Sequence, residues 1–362
     1  MTAREALFLL AAVLTAAGAC RAQQPAEIRW VDAARLTMEG QGWPGETRPF
    51  RRLPDRAEKV VPEKVWELSG NCAGLAVRFV TDSPEVRVRW TLAAPFRMNH
   101  MPETGISGVD LYVRRDGQWR WMAVGRPDGV DNDRTLVSGL ERQRREMLLY
   151  LPLYNGLTRL EIGVHPDSVI EPAPAWPDGT KPMVFYGTSI VQGGCASRPG
   201  MAYPAILGRR LGLPAVNLGF SGNGRTEPEV ADLLAELDAA VFVIDPLPNM
   251  GGVPVEERIA YLLDVLRRRH PATPVILVES FGNRGEPARS GGLPEEPAVN
   301  RAMRSAYLKA KPQWGGLLTL VNGSALLGED CEDTVDGVHP TDLGFHRMAD
   351  ALEPVVRKAL GR

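Results

Sequence analysis

The stretch MVFYGTSIVQGG, residues 183 to 194, runs from four apolar positions into a glycine, two hydroxyl residues and, after a short apolar turn, two more glycines. A continuous apolar run closed by turn residues predicts a strand buried on both faces. In open α/β sheets, the loops leaving the carboxyl ends of such strands hold ligands. Ser189 is therefore either a turn or helix-cap residue or a nucleophile. What decides between these is whether a base and oxyanion donors stand at other strand ends.

Downstream, the apolar runs AVNLGF (215 to 220), AAVFVID (239 to 245), PVILVES (274 to 280) and GLLTLVN (316 to 322) alternate with helical stretches at 202–211, 227–237, 255–269, 296–311 and 342–360. That alternation predicts a parallel sheet covered on both faces. Upstream the pattern has period two, as in LAVRFV (75 to 80), EVRVRW (85 to 90) and VDLYV (109 to 113), which predicts half-buried strands of an all-β sandwich. VDLYVRRDGQWRWMAV (109 to 124) is expected to be a hairpin turning at Asp116-Gly117. Seven of the eight tryptophans (30, 43, 66, 90, 119, 121 and 176) lie in the first 180 residues, and most are assigned to the sandwich core. DSVIEPAPAWPDGTKP (167 to 182) is proline-rich, lacks periodicity and marks a linker. The expected division is a signal segment at 1–24, a β-sandwich at 25–168, a linker at 169–181 and an α/β domain at 182–362.

A chain of 362 residues is long enough for two domains, and a formal charge of −2 provides no general field for nucleic acid or an anionic membrane. Residues 1 to 24 carry Arg4, an apolar stretch from Ala6 to Ala17 and small residues to Ala22, the layout of a secretory signal too short to span a bilayer. Export is therefore expected, into the periplasm or the medium. Cys20 follows Ala17-Gly18-Ala19 as in a bacterial lipoprotein site and is a candidate lipid anchor, with simple cleavage as the alternative. The remaining Cys72, Cys195 and Cys331 form neither a disulfide scaffold nor a paired metal-ligand spacing. A bond between Cys195 and Cys331 is expected, because both sit on loops leading to the same edge of the sheet.

The strand ends assemble a chemical set. The first contributes Gly187-Thr188-Ser189 and the second, NLGFSGNG, contributes Asn217, Gly219, Ser221, Gly222 and Gly224. The third ends in Asn249, and the last carries CEDTVDGVHP with Asp336 and His339. A carboxylate three positions before a histidine on a tight Asp-Gly turn can hold Nδ1 and leave Nε2 to take a serine proton. The N–H groups of Ser189 and Gly222 and the Asn249 amide can receive developing negative charge.

These blocks resemble the SGNH, or GDSL-type, hydrolases. The resemblance covers residues 182 to 360 and implies a three-layer αβα, flavodoxin-like domain. It implies Ser189 as nucleophile, His339 as base oriented by Asp336, and an oxyanion hole of Ser189, Gly222 and Asn249. GVDLYV (108 to 113) and LPLYNGL (151 to 157) look like the jelly-roll-like sandwich that precedes this domain in a bacterial subgroup, an arrangement found in some carbohydrate acetylesterases. One departure is Thr188, where many members carry aspartate. Gln192, Arg198 and Arg225 are candidate substrate contacts, and the acidic run Glu329, Asp330, Glu332, Asp333 is expected to be a solvated loop. No cofactor or metal is called for, since P-loop, dinucleotide and EF-hand spacings are absent. The reading favoured is a serine esterase releasing a small acyl group, acetyl first, from a carbohydrate. The alternatives are a lipid or thioester acylhydrolase and a non-catalytic glycan-binding protein. The sandwich is expected to wall the Ser189 cleft with residues of 96–105 or with Tyr154 and Asn155.

Overall fold

The computed structural model describes residues 27–285 and 297–362; the expected signal segment and Cys20 lie outside them. The first half contains β1 (Arg29–Asp32), β2 (Thr37–Glu39), β3 (Ala76–Thr81), β4 (Val86–Leu92), β5 (Val109–Arg115), β6 (Gln118–Gly125), β7 (Asp131–Val137), β8 (Arg145–Tyr150), β9 (Leu157–Val164) and β10 (Ile170–Pro172). They form two antiparallel sheets, β1-β9-β4-β7 and β10-β3-β8-β5-β6, with β2 also paired to β3. The alternating positions do what their period requires: Val77, Phe79, Val86, Val88, Leu111 and Leu149 meet in a buried layer between the sheets. The hairpin turns at Asp116 and Gly117 with φ of 52° and 74°, the left-handed pair that suits the twist of the flanking strands.

The second half contains β11 (Met183–Gly187), β12 (Ala215–Gly219), β13 (Val241–Asp245), β14 (Val275–Val278) and β15 (Leu318–Val321) in one sheet of order β12-β11-β13-β14-β15. Every pair is parallel. This is the flavodoxin-like order, whose switch point lies between β11 and β13. Val184, Tyr186, Phe242 and Ile244 point into one buried layer, and Met183, Phe185, Val241 and Val243 into the other. Helices flank both faces. Residues 228–234, 255–269 and 298–314 pack on the first, and residues 203–211 and 342–359 on the second. Gly187 closes β11 because a Cβ there would stand 2.1 Å from the Asp245 carbonyl oxygen of the neighbouring strand.

Three expectations change here. The linker opens as β10, an edge strand antiparallel to β3, a position that accommodates Pro172. Beyond it, Thr37 Oγ1 donates to Ala173 O at 2.8 Å and Trp176 Nε1 to Glu39 at 2.8 Å. The segment is therefore a strap laid along the sandwich. Of the tryptophans, only Trp90 belongs to the sandwich core, whereas Trp43 and Trp66 are buried in the layer beneath the parallel sheet. The irregular segment that carries them leaves the sandwich and docks on the α/β domain. The acidic run is solvated at Glu329, Asp330 and Glu332 but not throughout: Asp333 is fully buried, and Arg347 reaches Asp330 at 2.6 Å and Asp333 at 2.9 Å.

Candidate active site

β11 ends at Gly187, and the chain turns at once into a four-residue helix, Ser189–Gln192, with Thr188 Oγ1 accepting from the Ile190 N–H at 3.3 Å. Thr188 thus serves as the helix cap at the position where the resemblance leads one to expect aspartate. The turn presents the Ser189 hydroxyl to His339, with Oγ and Nε2 3.0 Å apart. On the far side of the ring, Nδ1 lies 2.7 Å from Asp336 Oδ2. Asp336 Oδ1 also accepts from the backbone N–H of His339 at 2.8 Å and of Val338 at 3.0 Å. Partial burial opposes the charge on Asp336, but these hydrogen bonds outweigh it and hold the carboxyl down at about 2. Gly337, with φ of 88°, gives the turn its shape, and a Cβ there would run into Asn283 Oδ1 at 2.3 Å.

Ser189 begins its helix and Gly222 sits in a loop with φ of 69°. Among the described residues neither N–H has a hydrogen-bond partner. Asn249 leaves β13 through a 3₁₀ turn, and its Nδ2 donates to Asn223 O at 2.7 Å. That bond uses one of two amide hydrogens and pins the side chain beside the Gly222 loop. Serine, histidine, aspartate and the set of donors thus come from four separate strand ends.

The amino-terminal half reaches this site. The Tyr154 hydroxyl donates to the Ser189 carbonyl at 3.4 Å, beneath the Ser189 turn. The His100 ring meets the His339 ring edge-on, with centroids 5.4 Å apart. Asn155 is buried, bracing Ala94 O and Ser107 Oγ at 2.8 and 3.0 Å. A cleft of about 810 Å³ opens beside Ser221 and Tyr154 and runs along the amino-terminal half past Asn71, Phe50, Phe96 and Met98.

Gln192 is not free to meet substrate. It is fully buried, donating to Asn71 Oδ1 at 3.1 Å and Leu153 O at 3.0 Å and accepting from the Ser221 N–H at 2.9 Å. Its burial follows from the close approach of Gly219, where a Cβ would lie 2.1 Å from the Gln192 nitrogen. Arg198 is likewise engaged, held by Asp110 Oδ2 at 2.8 Å and by the Tyr112 hydroxyl at 2.5 Å. Asp110 also accepts from the Gly200 N–H at 2.9 Å, so the GVDLY segment clamps the loop that follows Ser189. Arg225 is exposed, and its Nη2 donates to Gly222 O at 3.1 Å. Cys195 and Cys331 are both free thiols. Cys195 is buried against His100 and His339, whereas Cys331 is half-exposed with its Sγ 3.8 Å from Glu329 O.

Arg52 was not legible in the sequence. It is 1% exposed and sends all its hydrogen bonds to backbone carbonyls, to Asn71 at 2.9 Å, Leu68 at 2.7 Å, Asn217 at 3.2 Å and Gly219 at 2.6 Å. It joins the amino-terminal half to the strand end that carries the Gly222 loop.

With strand ends, donors and a hydrogen-bonded Ser-His-Asp set on one edge, the class is that of esterase-type hydrolases. The chain belongs to the GDSL-like lipase/acylhydrolase family of SGNH hydrolases, whose model matches residues 180–357, while a model for the N-terminus of SGNH-hydrolase-type esterases matches residues 28–170. A Bacteroides ovatus protein described as a GDSL-like lipase is 36% identical, with a TM-score of 0.85 over 92% of this chain and 98% of its own. The salicylyl-acyltransferase of a tetracycline biosynthetic pathway shares the fold at 21% identity and a TM-score of 0.74, covering 92% of this chain and 98% of its own. So does an acetyl xylan esterase of the rumen bacterium Butyrivibrio proteoclasticus, at 12% identity and a TM-score of 0.56 over 92% of this chain and 99% of its own. No functionally curated protein matches the sequence.

Proposed function

We propose that the protein is an exported serine esterase that removes a small acyl group, acetyl first, from a carbohydrate. The observation that carries this reading is the chain of hydrogen bonds from Ser189 Oγ through the His339 ring to Asp336, at 3.0 and 2.7 Å. Ser189 Oγ attacks the ester carbonyl while its proton passes to His339 Nε2, and Asp336 stabilises the resulting imidazolium. The unpartnered N–H groups of Ser189 and Gly222, with the remaining Asn249 amide hydrogen, receive the oxyanion. His339 returns the proton to the departing sugar hydroxyl. Water then attacks the acyl-enzyme with His339 again as base, releasing the acid.

The carbohydrate assignment is supported by the cleft beside Ser221, whose volume falls in the range of small-molecule sites and whose walls mix apolar and polar side chains. It is also in keeping with the acetyl xylan esterase among the structural neighbours. Export rests on the layout of residues 1 to 24. Acetylated oligosaccharides compared with short-chain, long-chain and thioester substrates, with Ser189→Ala as the blank, test the assignment. Acetylated sugars are expected to give the highest kcat/KM, and a preference for long-chain or thioester substrates would overturn it.

A further inference from the structure

Two side chains that the mechanism leaves unused crowd its histidine. His100, Cys195 and His339 each offer a ligand atom, and the three atoms lie within 4.8 Å of one another. Cys195 stands in the left-handed region with φ of 73°, a conformation that disfavours a side chain and is found where a site holds it in place. The Cys195 thiol has no hydrogen-bond partner among the described residues.

The histidines are prepared in the same way. His339 Nδ1 faces the Asp336 carboxylate at 2.7 Å, and His100 Nδ1 faces Asn99 Oδ1 at 3.0 Å. An acceptor at Nδ1 places the ring proton there and leaves the Nε2 lone pair outward, the outer-shell arrangement of metal-bound histidine. Two imidazoles and a thiolate favour Zn²⁺ and softer ions over Ca²⁺ or Mg²⁺.

We propose that His100, Cys195 and His339 form a site for a soft divalent metal ion, Zn²⁺ foremost, whose binding switches ester hydrolysis off. Ligand atoms on tetrahedral Zn²⁺ stand about 3.5 Å apart, given bonds of roughly 2.0 Å to nitrogen and 2.3 Å to sulfur. Reaching that spacing from within 4.8 Å takes a small movement of the ligand side chains, of which His100 is half-exposed. The ion displaces the thiol proton to solvent and takes the His339 Nε2 lone pair that otherwise receives the Ser189 proton. Three protein ligands leave a fourth position for water. The inhibitory part of the proposal rests on His339 being the catalytic base; the metal site itself does not.

The test titrates ZnCl₂ into metal-free full-length protein during ester hydrolysis, with EDTA added at the end. Wild type is expected to be inhibited at micromolar free Zn²⁺ and restored by EDTA, with at least about tenfold more Zn²⁺ required for Cys195→Ala and His100→Gln. A second readout is the ultraviolet thiolate-to-Cd²⁺ charge-transfer band. It is expected in wild type and in Ser189→Ala, which keeps all three ligands, and not in Cys195→Ala. The Ser189→Ala spectrum decides the site even if Cys195→Ala does not fold, or if the serine mechanism fails. Absence of the band from wild type would overturn the site. A band in wild type without inhibition, or equal inhibition of wild type and Cys195→Ala, would overturn the switch.

Discussion

Arg52 Nη1 donates to the Gly219 carbonyl at 2.6 Å, a bond from the amino-terminal half to the strand end that leads into the Gly222 loop. With no carboxylate in contact among the described residues, the guanidinium serves four carbonyls. Arg52→Met fills the space and orphans those acceptors, so a loss of roughly 3 to 5 kcal/mol in denaturant unfolding is expected. With the Gly222 N–H in its proposed oxyanion role, kcat and kcat/KM should fall together. A variant of wild-type stability and turnover would show that the link does not position the loop.

Within the reacting set, the variants should rank in order. Ser189→Ala and His339→Ala are expected to abolish turnover, Asp336→Asn to lose about 10³ to 10⁴, and Asn249→Ala about 10² to 10³. The Asp336 carboxyl is held down at about 2, so its contribution is present above its ordinary value and lost only as pH falls toward 2. Any loss of activity above about pH 4 therefore comes from another group. Steady-state kinetics of the four variants, with pH profiles for wild type, check the ranking.

Asp245 closes β13 fully buried, and burial pushes its carboxyl from 3.8 up to about 8, although the Tyr203 hydroxyl donates to it at 3.2 Å. A raised carboxyl pKa means that the folded protein keeps a proton that the unfolded chain gives up. Its contribution is intact below about pH 4 and declines until about pH 8. Asp245→Asn removes the titration and keeps an acceptor for Tyr203. Its stability relative to wild type should therefore rise across that window, by up to about 1.4 kcal/mol per pH unit. Unfolding at pH 5 and pH 8.5 measures this, and a difference independent of pH would contradict it.

Removing residues 25–170 deletes Arg52, Tyr154 and the Asp110 clamp and uncovers the faces that Trp43 and Trp66 occupy. The remainder, 171–362, is expected to be insoluble or nearly inactive on small and polymeric esters alike. A soluble, fully active fragment would make the amino-terminal half a separate module.

The sequence made the parallel sheet legible because its strands are short apolar runs between periodic helices. The Asp336-Gly337-Val338-His339 turn was legible because its partners are three residues apart. Arg52 and Gly219 are 167 positions apart and leave no periodic trace, so the seam between the halves could not be read. Gln192 is the last residue of the four-residue helix, in a loop-rich stretch that suggests exposure. The direct packing of Gly219 on its nitrogen buries it instead. Cys195 and Cys331 lie on neighbouring loops, but the side chain of Cys195 turns inward to the histidines, which spacing alone does not reveal.

The central claim is that Ser189 is a nucleophile activated by His339. A fluorophosphonate probe applied to the full-length protein, followed by mass mapping of the labelled peptide, tests it most directly. One label is expected on Ser189 in wild type, none in Ser189→Ala, and labelling slowed by at least about 10³ in His339→Ala. Equal labelling of wild type and Ser189→Ala, or a label mapped to another residue with hydrolysis intact in Ser189→Ala, would contradict it.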